Sequence, residues 1–100
     1  MGVGLREEAK RELYEAIAWY EDDYPGRGRR FYEAVMGELR RIQEAPHTFP
    51  WWRRSQLVRV AVVPRFPYSL IFVIRDDGST VYAVASHKRR PGYWKKRIDG

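Results

Sequence analysis

The hydrophobic pattern changes its period halfway along the chain, and this change limits the possible folds more than any other feature. Before Pro50 the apolar residues recur three or four positions apart, as on one face of a helix. After Pro50 they alternate with other residues, as they do in strands. At 100 residues the chain has the length of one domain, so both halves must share a core. The pattern therefore predicts a single α+β domain over residues 1–100.

Two helices are predicted in the first half. The first runs from about Arg6 to Asp22 and the second from about Arg29 to Ala45. The segment Pro25-Gly26-Arg27-Gly28 interrupts the helical pattern between them. The charges beside this turn are unfavourable for each helix dipole alone, but they become neighbours of opposite sign if the helices are antiparallel. They are Glu21, Asp22 and Asp23 before the turn and Arg27, Arg29 and Arg30 after it. An αα-hairpin is therefore expected.

Three strands are predicted in the second half, at Leu57–Val63, Tyr68–Arg75 and Thr80–Ser86. Their short connections favour an antiparallel meander, and one face must pack on the helix pair. Only Val3–Arg6 could form a strand before the first helix, and the glycines at positions 2 and 4 weaken such a strand. The expected architecture is an N-terminal αα-hairpin packed on a three- to four-stranded antiparallel sheet.

Arg59 interrupts an otherwise apolar strand and therefore indicates which way that strand faces. A period of two places Arg59 on the same face as Ala61, opposite the valines at 58, 60 and 62. The valine set is expected to face the helices, which puts Arg59 on the open face of the sheet. The alternative is an ordinary solvent-facing arginine.

Basic residues concentrate after Pro50, where aromatic residues are interleaved with them. The net charge is +6, from 19 Lys and Arg against 13 Asp and Glu, which favours an acidic protein segment or a nucleic acid as partner. Arginine binds carboxylate or phosphate bidentately, and aromatic rings stack on bases or anchor a protein partner. The candidate target- or partner-binding residues are Arg59, Arg65, Arg89, Arg90, Trp51, Trp52, Tyr93 and Trp94. Two alternatives are a basic surface kept for solubility and tryptophans that close a small core.

Few residues have the chemistry of a catalytic site. His87 lies where the last strand ends, and it is a candidate base or an ordinary hydrogen-bonded strand-end residue. The other histidine, His47, stands alone in a loop. With no cysteine and two distant histidines, no metal site is expected, and no cofactor motif such as a P-loop is present.

The sequence predicts neither export nor membrane insertion. The first residues lead directly into Arg6-Glu7-Glu8, which is unlike a secretory signal, so a cytoplasmic location is expected. The longest apolar stretches lie around Val60–Val63 and Leu70–Ile74. They are far shorter than the roughly 20 residues of a membrane helix.

Several segments resemble the RelE/ParE toxins of type II toxin–antitoxin pairs. Ala16–Glu21 with Pro25–Phe31 is similar to their helix–turn–helix start, and Phe66–Phe72 to their central strand. Ala83–Trp94 resembles their last strand and basic tail. These segments occur in the family's order and span nearly the whole chain. The resemblance implies the compact toxin fold, a cognate acidic antitoxin in a hetero-oligomer, and growth inhibition as in plasmid stabilisation.

The resemblance implies one of two targets. The ParE branch poisons DNA gyrase, whereas the RelE branch cuts mRNA on the ribosome with basic residues and a Tyr or His. The His-x-Arg-Arg tail is more similar to the ParE branch, so a gyrase inhibitor is expected. In the alternative, a ribosome-dependent endoribonuclease, phosphate binding and proton transfer would fall to Arg59, Arg65, His87, Arg89, Arg90 and Tyr93. A third reading is a toxin-like domain that only binds a partner, so whether the protein is an enzyme stays open.

Overall fold

The computed structural model describes residues 2–99 and shows a helix hairpin packed on a four-stranded sheet. The sheet order is β1-β4-β3-β2. The elements are β1 Gly2–Leu5, α1 Glu7–Asp23, α2 Arg27–Glu44, a 3₁₀ turn Pro46–Thr48, β2 Val58–Val62, β3 Tyr68–Arg75, β4 Gly78–Ser86 and α3 Lys95–Asp99. The predicted α+β class and hairpin-on-sheet architecture are confirmed. Across residues 2–99, no helix combines the length and hydropathy needed to cross a membrane.

The sheet is mixed rather than wholly antiparallel. Strands β2, β3 and β4 form the predicted antiparallel meander. The weak first strand is retained and lies parallel to β4, with Gly2 opposite Gly78 and Leu5 opposite Val81. No short turn joins β1 to β4, so the direction of β1 follows from how α1 packs on the sheet. Gly78 has a φ of +140°, and a Cβ there would collide with the backbone of Gly2. Glycine at this position therefore permits the parallel pairing.

Charged residues stabilise the turn of the helix hairpin. The Asp23 carboxylate accepts a hydrogen bond from the Arg27 guanidinium at 2.6 Å, so opposite charges do meet across the turn. The Glu21 carboxylate accepts hydrogen bonds from the backbone N–H groups of Gly26 and Gly28 at 3.0–3.1 Å. Free N–H groups at a helix start need such an acceptor, and Glu21 caps α2 from the preceding helix.

Apolar residues pack on both faces of the sheet. The helix-side core contains Ala9, Leu13, Ala16, Tyr20, Phe31, Val35, Ile42, Phe49, Ala61, Val63, Leu70, Phe72, Val81 and Val84. The second cluster contains Val58, Ile71, Val73, Tyr82, Ala83, Ala85 and Trp94, with Trp52, Val60, Tyr93 and Ile98 packed against it. The chain after β4 covers the second face, so β3 and β4 are apolar on both sides.

The predicted orientation of Arg59 was wrong. Ala61 belongs to the helix-side core and Val58 to the second cluster, so Arg59 lies on the helix side of β2. Its guanidinium donates to the backbone carbonyls of His47 and Phe49, at 3.3 and 2.7 Å. Alternation separates two faces but does not say which one meets the helices. The tail supplies a second apolar layer for Val58 and Val60, and this reversed the assignment, while Val62 is 58% exposed.

Candidate functional site

The tail after β4 folds back across the second face of the sheet and builds a concave surface there. The backbone N–H of His87 donates to the carbonyl of Pro67 at 2.9 Å, which ties the start of the tail to the β2–β3 turn. Trp94 is 2% exposed and packs edge-on against Trp52, with ring centroids 4.8 Å apart. Trp94 is thus a core residue, as in the alternative in which tryptophans close a small core. The two rings fix the tail at a set distance from the strands.

A pocket of about 260 Å³ opens between the tail and the strands, and we call it the basic pocket. Its floor is apolar, formed by Val60, Ile71 and Ala85. Its walls are Trp52, Arg53, Ser69, Ser86, His87, Arg89, Arg90, Pro91, Gly92, Tyr93 and Trp94. Six of the predicted site residues therefore meet in one place. Among the side chains of residues 2–98, no Asp or Glu lines this pocket while Arg53, Arg89 and Arg90 do, so its potential is positive and suits an anion.

Aromatic rings and a serine hold the polar groups of the pocket. The Arg89 guanidinium lies 3.9 Å from the ring centroid of Tyr93, and that of Arg53 lies 5.0 Å from a Trp52 ring. Such cation–π contacts hold a guanidinium while leaving N–H donors for a ligand. The His87 Nε2 lies 2.8 Å from the Ser69 hydroxyl oxygen. The pocket can therefore bind a carboxylate or phosphate with donors from several sides.

A buried carboxylate on α1 anchors the tail. The Tyr93 hydroxyl donates to Glu12 Oε2 at 2.5 Å, and the Arg97 guanidinium donates to both carboxylate oxygens at 2.9 and 3.0 Å. The backbone N–H of Val84 also donates to Glu12 Oε1, at 3.0 Å. The Glu12 and Arg97 side chains are 12% and 20% exposed, so this ion pair is largely shielded from water. One carboxylate thus links α1, β4 and the tail.

The sequence of the chain matches that of a known toxin family. Residues 3–91 match the family described as ParE toxin of type II toxin-antitoxin system, parDE. The chain belongs to this family. The resemblance inferred from the sequence is confirmed at the level of a ParE toxin of a type II toxin–antitoxin system.

A solved structure supports the fold of this ParE-family toxin. The structure titled "Chromosomal ParDE TA system from P. aeruginosa" superposes with a TM-score of 0.73 and 16% sequence identity. The alignment covers 86% of this chain and 95% of that one. At this identity the likeness concerns the fold. No curated protein matches the chain.

The environment of Tyr93 in the ParE-family chain limits what the pocket can do chemically. Burial, then the hydrogen bond to Glu12, raises the pKa of Tyr93 well above its usual range. The hydrogen bond to Glu12 also raises the pKa of the Arg97 guanidinium. The Tyr93 hydroxyl therefore stays protonated at neutral pH and is already bonded to a carboxylate. The raised pKa works against a role of this hydroxyl as a proton acceptor.

The other predicted site residues of the toxin lie outside the basic pocket. Arg59 is bonded to the loop before β2, and its guanidinium stacks 3.7 Å from a ring centroid of Trp51. Arg65 has a φ of +70° in the β2–β3 turn and lines a separate groove of about 680 Å³ beside α2. The predicted site residues therefore lie in three separate places: the basic pocket, the loop before β2 and the groove beside α2.

Sequence reasoning missed three residues that define the site. Arg53 directly follows the tryptophan pair, and its position beside two aromatic residues was a usable signal. Ser69 is a polar residue in an apolar strand, spaced by two from Ile71 of the pocket floor, which was another signal. Glu12 had none, because its partners Tyr93 and Arg97 are more than 80 residues away in the chain.

Proposed function

We propose that this ParE-family toxin is neutralised by a cognate acidic antitoxin and inhibits DNA gyrase, with the basic pocket as its target-binding surface. Membership of the ParE family supports the antitoxin partner. The structure similar to it carries a title that names a ParDE toxin–antitoxin system. Gyrase inhibition is the activity of the ParE branch, and the tail of this chain resembles the tail of that branch. The cationic lining of the pocket, with Arg53, Arg89 and Arg90, supports an anionic group on the target as the contact.

The observation that favours gyrase over mRNA cleavage is the binding of Tyr93 to Glu12. Strand cleavage needs a group that accepts a proton and a second group that donates one. Of the pocket residues, His87 is one such group, but the Tyr93 hydroxyl is held by the Glu12 carboxylate. A binding surface needs only cations and shape, and the pocket has both. Inhibition by binding is therefore the simpler function for this arrangement.

The second candidate is a ribosome-dependent endoribonuclease. It is favoured by the imidazole of His87, which shares the pocket with Arg89 and Arg90 and contacts the Ser69 hydroxyl. In that reading the guanidiniums would stabilise the charge on a phosphate during cleavage, and His87 would move the proton. A toxin-like domain that binds a partner without inhibiting growth is the remaining reading.

Two assays on the purified protein separate these functions. We expect inhibition of DNA supercoiling by gyrase and intact mRNA on translating ribosomes. Because Arg89 and Arg90 line the pocket, Arg89→Glu or Arg90→Glu should raise the concentration for half-inhibition by about 10-fold or more, since a lost charged contact costs over ~1.4 kcal/mol.

Arg29→Glu is the matched control for these reversals. Arg29 lies in the first turn of α2, where the dipole tolerates a carboxylate, and it does not line the pocket. We expect its half-inhibition concentration to change by less than about 2-fold, as for surface substitutions generally. If the wild-type protein cleaves mRNA on ribosomes and His87→Ala does not, the gyrase proposal is wrong and the protein is the endoribonuclease.

A further inference from the structure

The groove of about 680 Å³ beside α2 has a lining of mixed charge, and we call it the α2 groove. Its apolar lining comes from Ala34, Gly37, Pro64 and Phe66. Its charged lining consists of Arg27, Arg30, Glu33, Glu38, Arg41 and Arg65. Because carboxylates and guanidiniums alternate along the helix, neither a nucleic acid nor a wholly acidic segment matches this surface. A partner that carries both signs does.

Gly37 is the part of the groove that the chain itself does not explain. Glycine weakens a helix interior. A Cβ at Gly37 would have no atom of another described element within 4 Å, so no internal contact requires a glycine there. Gly28 is different, because a Cβ there would lie 2.6 Å from the Ile17 carbonyl oxygen. A helix surface with Gly37 and Ala34 side by side lets the backbone of a second helix approach closely from outside.

The charges on this face of α2 match their own reverse order. Positions four and seven residues from Gly37 share its face of the helix. If two α2 helices cross antiparallel at Gly37, each residue before the glycine faces the residue at the same spacing after it. Glu33 then faces Arg41 of the second copy, and Arg30 faces Glu44 of the second copy. Two-fold symmetry forms each pair twice, so opposite charges meet on both sides of the crossing.

The inner pair of these charges is accessible to a second copy. The side chains of Glu33 and Arg41 are 60% and 62% exposed. Glu33 contacts Arg29 at 3.3 Å, but such a pair between exposed side chains contributes little and is readily exchanged. Arg41 donates to Glu38 through Nη1, and a guanidinium has further N–H donors.

We infer that the α2 groove docks a second copy of this chain, with the two α2 helices antiparallel and crossing at Gly37. The glycines bring the helix axes to about 8 Å, the short end of helix packing distances. One helix pair is a small interface, so the dimer is reversible, with a Kd on the order of 100 µM. The basic pocket lies on the other face of the sheet, and both pockets of the dimer therefore stay open.

Sedimentation equilibrium of the purified full chain, across micromolar to millimolar concentrations, tests the inference. The wild-type chain should dimerise reversibly. Gly37→Gln should weaken the dimer Kd by about 30-fold or more, because the longer side chain keeps the two backbones apart. Its urea midpoint should not fall, since glutamine favours a helix more than glycine does. Tyr32→Gln places the same side chain on the exposed surface of α2 outside the groove, and should change the Kd by less than about 3-fold.

Arg30 and Glu44 provide a test that does not involve the glycine. Arg30→Glu and Glu44→Arg each bring like charges together, and each should weaken the Kd by about 5-fold or more. The double variant restores opposite charges and should return the Kd to within about 3-fold of wild type. Both changes suit the dipole of α2 and should preserve the fold. Arg30→Glu lowers the net charge of +6 by two and Glu44→Arg raises it by two, so an effect of overall charge alone would have opposite signs.

Several outcomes would overturn the inference. A chain that is monomeric at millimolar concentration has no such dimer. A dimer that Gly37→Gln leaves intact has its interface elsewhere, and single reversals of opposite sign mean that overall charge governs association. A monomeric wild-type chain whose Gly37→Gln variant loses antitoxin or gyrase binding would assign the groove to that protein instead. The dimer measurements need neither protein, so they decide the groove separately from the proposed function.

Discussion

The Glu12 side chain joins α1, β4 and the tail. Its two oxygens accept hydrogen bonds from the Tyr93 hydroxyl, the Arg97 guanidinium and the backbone N–H of Val84. A shielded ion pair does not add much stability by itself, because removing both charges from water is costly. Removing one partner is different, since the other charge is then left without compensation. This carboxylate helps to hold the tail and the basic pocket in position, together with the packing of Trp94 on Trp52.

Glu12→Ala should lower the free energy of unfolding by about 3 kcal/mol, because Arg97 and the Tyr93 hydroxyl would lose their acceptor in a shielded site. Urea denaturation of the purified chain measures this. The control is Glu15→Ala, one turn further along the exposed side of α1, where about 0.5 kcal/mol or less is expected. Equal losses for the two variants would mean that the network contributes nothing specific to the fold.

At the scale of elements, the αα-hairpin depends on a close approach of its two helices. A Cβ at Gly28 would lie 2.6 Å from the Ile17 carbonyl oxygen and 3.0 Å from Glu21 Cβ. Both are contacts with α1, and the first is with backbone that cannot rotate away. A Cβ at Gly37, later in α2, would have no atom of another described element within 4 Å. Within one chain, the two glycines of α2 therefore differ in function, the first allowing contact and the second only weakening the helix.

Alanine substitutions at these two positions should have opposite signs. Gly28→Ala should destabilise the protein by about 2 kcal/mol, because the helices must separate to make room. Gly37→Ala should stabilise it by up to about 1 kcal/mol, the usual gain in helix propensity. Thermal and urea unfolding of both variants provide the measurement. A Gly28→Ala variant as stable as Gly37→Ala would show that the hairpin tolerates a wider spacing than the structure has.

At the scale of the whole molecule, the cations are concentrated in the basic pocket and on α2. Helix α1 has acidic residues in its first turn and at its end, while the tail contributes the cations of the basic pocket. The chain as a whole carries +6. An acidic partner therefore approaches a molecule with a positive end, and this attraction acts mainly on the association rate.

Association of the antitoxin should reflect this charge. The double reversal Arg89→Glu with Arg90→Glu should slow association by about 10-fold or more at low salt and should flatten its salt dependence, because steering is screened within a Debye length. Arg29→Glu, a reversal on the helix side, should change the rate by about 3-fold or less. Stopped-flow kinetics across a salt series would test both variants. An association rate indifferent to salt and to the double reversal would mean that the antitoxin binds without help from the tail.

The sequence by itself determined the two long helices and strands β2 to β4, and their order. The first helix was predicted over residues 6–22 and occupies 7–23, and the strand predicted at Tyr68–Arg75 has those bounds. Periodicity and turn residues act over a few positions, which is why they are legible in one chain. Several of the predicted site residues, among them His87, Arg89 and Tyr93, line one pocket, which the sequence did not predict.

Only the tertiary structure decided which faces and partners these elements have. Arg59 lies on the helix side because Trp52 and Trp94 form an apolar layer on the other face, which no local pattern reveals. Strand β1 is parallel to β4 because the packing of α1, and no turn, sets its direction. Glu12 binds Arg97 across 85 positions. Each of these depends on contacts between residues far apart in the chain, and the spacing of neighbours does not encode them.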